Sequence, residues 1–194
     1  MPAIGKKERR TRPEPYEIRT ARQLRAIGTP ISAAIIEELR MGGAMSAAEI
    51  AEKIGKSPQG VHYHLGKLRE IGLVQVAGER ETGRRPEMLF EMEAHDVHLT
   101  QGKRTPGLRR EMLRMCRLFL RRAGEDYEAA VHDKADERMP AGLRLTRSVT
   151  RLSEADVEEL AAKLDAIDRW LDERDGVAGA CRVKVTVVVA TGEA

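Results

Sequence analysis

The sequence predicts a mainly α chain with a small β component, and three observations carry that class. Apolar residues recur at three- and four-residue intervals over 31–39, 48–54, 61–68, 108–131 and 160–171, as in helices with one buried face. Start and stop signals bracket these runs. Ser46 with Glu49, Ser57 with Pro58 and Ser153 with Asp156 open helices; Gly42-Gly43, Gly55 and Gly176 close them. Four shorter runs, 73–76, 88–92, 143–152 and 181–190, are β-branched or alternating and read as strands.

Taken in order, residues 1–20 read as a flexible arm, with five Lys or Arg before Pro13. Such an arm either touches phosphate or the minor groove or acts as a solubilising tail. A short helix is expected over 19–27. Pro30 opens a second helix whose Ile31, Ala34, Ile35 and Leu39 form one side of a small core. Ala44-Met45 supplies a minimal strand.

The stretch SAAEIAEKIGKSPQGVHYHLGKLREIGLV, residues 46–74, organises the rest. Ser46 and Glu49 form a capping box, and Ala48, Ile50, Ala51 and Ile54 give the first helix its apolar face. Gly55 ends it in the left-handed conformation. Ser57 then caps a second helix with Pro58 in its first turn. Helix, three-residue turn, helix is the connection of a helix-turn-helix. In the second helix Val61, Leu65 and Leu68 face inward, so Gln59, His62, Tyr63, Gly66 and Lys67 face out, with His64 at the border. Amide, imidazole, phenol and ammonium groups on one face are chemistry that reads base edges and phosphates. Gly60 allows close approach to a phosphate.

A hairpin follows. Strands 73–76 and 88–92 flank a turn holding Gly78, Thr82, Gly83, Arg84, Arg85 and Pro86. Arginines on such a wing reach the backbone or the minor groove, and Arg84 and Arg85 rank above Arg80, which sits between Glu79 and Glu81. Residues 21–92 are therefore expected to be a winged helix-turn-helix, with DNA contacts from Ser57, Gln59, Gly60, His62, Tyr63, Lys67, Arg84 and Arg85.

Ile27-Gly28-Thr29-Pro30, the helix after it, the 46–74 stretch and the TGRRPEMLFEM hairpin together resemble ArsR-type winged helix-turn-helix transcription regulators. The resemblance covers about Arg22 to Met92 and is most specific in VHYHLGKLREIGLV. It implies a homodimer that binds operator DNA and responds to a signal. The recognition-helix region lacks the cysteine pair of the metal-sensing branch, which speaks against soft-metal sensing.

Residues 93–107 read as a linker. Residues 108–194 then form a small α+β domain of helix, strand, helix and strand, expected to dimerise the chain and to hold any effector. Leu108, Met112, Met115 and Phe119 run along one row of its first helix; Leu160, Leu164, Ile167 and Trp170 mark the second. Two strands alone make a thin sheet, which pairing across a dimer would complete.

Charge follows the same division. Residues 1–29 hold eight Lys or Arg against three Glu, and residues 143–194 hold eight against ten acids, so the basic end adjoins the expected DNA reader. Aromatics at 3% argue against base-stacking platforms for single strands. Cys116 and Cys181 are too few for a disulfide framework, and no apolar run reaches membrane-spanning length, so the expected location is cytoplasmic.

His95, His98, Cys116 and His132 carry metal-binding chemistry, but their spacing is not diagnostic and Cys116 fits as a core filler. No metal or other cofactor is expected. Nor is an enzyme: there is no nucleophile–base pattern, phosphate-cradling glycine loop or metalloprotease spacing. The competing reading is a winged helix serving as a protein-interaction or architectural module. A third is a regulator whose small-molecule effector sits between the C-terminal domain and the helix over 108–131.

Overall fold

A computed structural model of the chain describes residues 15–83, 85–94, 97–99, 105–132, 143–174 and 182–191. The chain divides into two compact units, Met1–Met115 and Cys116–Ala194. The first unit opens on a strand, β1 (Tyr16–Ile18), which pairs in parallel with β5 (Val97–Leu99), Tyr16 opposite Val97. The arm expected over 1–20 therefore ends in structure, and the expected linker 93–107 contributes that structure's partner. Ile18 is buried, and the Tyr16 hydroxyl donates to the Ile71 carbonyl. A three-residue strand is too short for alternation to show, and parallel pairing over some eighty positions leaves no local trace.

Thr20 begins α1 (Ala21–Ile27) with a capping box closed by Gln23. Thr29 caps α2 (Pro30–Gly42), whose Ser32, Ala33, Ile35, Glu38 and Leu39 are buried. After β2 (Met45–Ser46), α3 (Ala47–Ile54) starts at the expected Ser46–Glu49 box and stops at Gly55, φ 63° and ψ 42°. The backbone N–H of Lys56 returns to the Ala51 carbonyl at 3.0 Å, closing the helix end. Ser57 then caps α4 (Pro58–Glu70).

The wing consists of β3 (Val74–Arg80) and β4 (Glu87–Met92), with β2 on the far side, in the antiparallel order β2-β4-β3. Its register places Phe90 between Met45 and Val76 and slips by one residue at Val76/Gly78. Gly78 at φ 156° takes up that bulge. Phe90, 2% exposed, joins Leu24, Ile35, Leu39, Ile50, Val61, Leu65, Leu68 and Leu73 in one core. Helix α5 (Pro106–Val131) starts within this unit: Leu108 is a core member, and Met112 and Met115 pack on it. The expected boundary at 107/108 falls in the first turn of α5, next to the core residue Leu108.

In the second unit, Ser153 and Asp156 close the expected capping box on α6 (Glu154–Asp172). The strands expected over 143–152 and 181–190 are not formed: residues 143–153 and 182–191 enter no ladder among the described residues, and Cys181 lies outside them. Leu145 is 81% exposed and Val149 85%. Alternation marks which side of a strand is apolar, but a strand also needs a hydrogen-bonded neighbour. The described elements make a mostly helical chain with small sheets, a winged helix-turn-helix followed by a second unit.

Candidate nucleic-acid interface

Three completely or almost completely buried side chains fix how α4 sits: Val61 at 0%, Leu65 at 1% and Leu68 at 0% exposure. Their burial forces the opposite face out, and Gln59, His62 and Tyr63 are exposed there. Tyr63, at 64% exposure, is a large ring displayed to solvent. Lys67 is half-buried; its Nζ lies 5.7 Å from the Tyr63 ring centroid and 3.2 Å from Glu70 Oε1. Glu70 also takes Arg22 at 3.1 Å, and these two cations hold its carboxyl below the usual glutamate range. The Lys67 charge is thus partly compensated within the helix, which fits a steadying role beside Tyr63 better than a lone phosphate contact.

The N-terminal end of α4 is electropositive. Its first turn holds no acid, and its backbone N–H groups carry the positive end of the helix dipole. Ser57 Oγ accepts the Gly60 N–H at 3.2 Å, so that residue caps the helix while its own hydroxyl hydrogen remains available to donate. A Cβ at Gly60 would stand 3.2 Å from Ser57 Oγ, so the glycine protects the cap as well as opening the surface. Lys56, exposed in the turn just before this cap, is a charge the sequence reading overlooked. Its signal was its place immediately ahead of Ser57-Pro58.

His64 is inward of this face. Its Nδ1 lies 3.0 Å from Ser32 Oγ and 3.4 Å from Thr29 Oγ1, joining α4 to the start of α2, and its ring meets Tyr63 edge-on at 5.3 Å. Burial pushes its pKa down from 6.5. His62 leans the other way, its ring 6.3 Å from Phe90 in an edge-on contact with the wing strand.

On the wing, Arg80 is bound twice, to Glu49 Oε1 and Glu87 Oε2 at 2.9 Å each. The guanidinium holds both carboxyls below the usual glutamate range. It ties the wing to the first turn of α3. Arg85 is exposed at the hairpin tip beside Gly83 (φ 78°), and its carbonyl accepts the Thr82 hydroxyl at 2.8 Å. Arg84 lies outside the described residues. The structure thus brings Ser57, Gln59, Gly60, His62, Tyr63 and Lys67 onto one helix, with Arg85 on the adjoining hairpin.

Among the described residues no group of three or more His, Cys, Asp or Glu side chains could hold a metal ion; His95 lies outside them. No helix among the described residues is long and apolar enough to cross a membrane.

Residues 27–77 match a family model described as a helix-turn-helix domain. No curated protein matches the chain. Among solved structures, a doubly substituted variant of Lactococcus lactis ZitR in the apo form is similar at 14% identity, over 73% of this chain and 83% of that chain, with a TM-score of 0.27.

Proposed function

We propose that this chain is an ArsR-type transcriptional regulator of the cytoplasm that binds a near-palindromic operator in double-stranded DNA as a homodimer. The observation that carries the reading is the face of α4. Gln59, His62 and Tyr63 are exposed on a helix whose opposite side is sealed into the core, directly after a helix-turn-helix turn. A helix so presented enters the major groove with its N-terminal residues at base edges and its capped end at a phosphate. Ser57 and Gly60 position that end, Lys67 supports Tyr63, and Arg84 and Arg85 reach the backbone or minor groove from the wing.

One reader of this size covers part of one groove, so specificity comes from two, related by a two-fold axis and bound one helical turn apart. A signal acting on residues 108–194 would regulate binding by altering that spacing. The reading involves no cofactor and no catalysis. A module for protein contacts would present apolar or acidic groups where α4 presents Gln59, His62 and Tyr63. The test is selection of duplexes from a random pool by the purified chain at physiological salt. An enriched near-palindrome with half-sites about 10 base pairs apart is expected. A pool that stays random after repeated rounds contradicts sequence-specific binding.

A further inference from the structure

Helix α5 carries Arg110, Arg114, Arg117 and Arg121, all exposed. At roughly 100° per residue they fall within about 60° of one another, a stripe along one side of the helix. Leu113 and Leu120, 58% and 52% exposed, edge that stripe on one flank. Helix α6 carries the opposite charge in a like pattern. Glu154, Glu158, Asp165 and Asp168 are exposed and lie within about 80° of one another. Val157, Leu160, Leu164, Ile167 and Leu171 edge this acidic stripe, half-buried apart from Ile167 at 48% exposure.

We propose that in the homodimer α5 of one copy packs antiparallel on α6 of the other, arginine stripe against acidic stripe and apolar edge against apolar edge. This rests on the homodimer reading above and names its contact surface. The direction follows from handedness. On both helices the apolar edge lies counter-clockwise of the charged stripe, viewed from the N-terminus. Two such helices face to face in parallel would set charge against leucine. Antiparallel, both stripes meet their complements.

The spacing agrees. Arg114 and Arg121 are seven residues apart, as are Glu158 and Asp165, so one register sets Arg114 beside Asp165 and Arg121 beside Glu158. Among the described residues Arg114 and Arg121 have only loose helical neighbours, Glu111 and Glu125 at 3.6 Å each. Glu158 and Asp165 form no ion pair among the described residues. A two-fold axis makes the contact twice per dimer, and opposed charge at its margin selects partner and direction.

The test uses full-length chains and light scattering at micromolar concentration, without DNA. R114E/R121E sets acid against acid at both facing pairs, and E158R/D165R sets arginine against arginine there. Each variant alone should dissociate, its dimer constant weakened about tenfold or more. An equimolar mixture should restore the dimer, because each helix again meets its complement only in the other copy. Dimers from either variant alone, or monomers that do not recover on mixing, would overturn the pairing. A parent that is itself monomeric would overturn the homodimer instead, leaving recognition by α4 to be judged on DNA.

Discussion

At Gly28 a methyl group would stand 2.8 Å from the Leu24 carbonyl oxygen, which already accepts the Gly28 N–H. That oxygen is backbone and cannot swing aside, so Gly28→Ala should lose about 1–3 kcal/mol in a urea titration. Unchanged stability would show that the α1–α2 junction yields. His64 gives a second residue-scale test. Its folded pKa is lowered by burial, so the neutral ring is favoured in the fold. Stability on this account is complete above the unfolded value of 6.5 and declines as pH falls through the folded pKa. Melting temperature should therefore drop between pH 7 and the carboxylate range, and His64→Gln should flatten that limb. A parent curve that is flat there contradicts the assignment. The outward side of α4 was legible from sequence because three inward residues at helical spacing determine it. The double engagement of Arg80 was not, since Glu49 and Glu87 come from separate elements that only the fold brings together.

Among the elements, the caps were the most readable. Ser46, Ser57 and Ser153 each accept the backbone N–H three residues on, and glycine ends α3 where a left-handed residue is needed. Local chemistry of this kind is written within four residues. The β1–β5 ladder was invisible for the opposite reason: its two strands are three residues each and lie far apart in sequence. The segments 143–152 and 182–190 show the limit of alternation, which reports a face but not a neighbour. The wing carries its own prediction. Arg85→Ala should weaken binding to all duplexes about equally and reduce the salt slope by about one unit. A base-specific loss, with the slope intact, would move Arg85 into direct readout.

For the whole molecule, the proposed division of labour is reader first and assembly second. A chain ending at Val131 keeps every element of the winged helix-turn-helix and the Leu108–Met115 segment that seals its core, but lacks α6. It should be folded and monomeric, and should bind the operator about tenfold more weakly or worse than the full chain. A dimer from that shorter chain would place the interface elsewhere. Recognition by α4 is tested most directly by one measurement: affinity of the parent, Gln59→Ala and Tyr63→Ala for the selected duplex and for a random duplex of equal length, at fixed salt. The parent should prefer the selected duplex by about a thousandfold or more. Each alanine should cost about 1–3 kcal/mol on the selected duplex and little on the random one. Equal binding of both duplexes by the parent, or two variants that retain its full preference, would contradict the claim that this helix reads sequence.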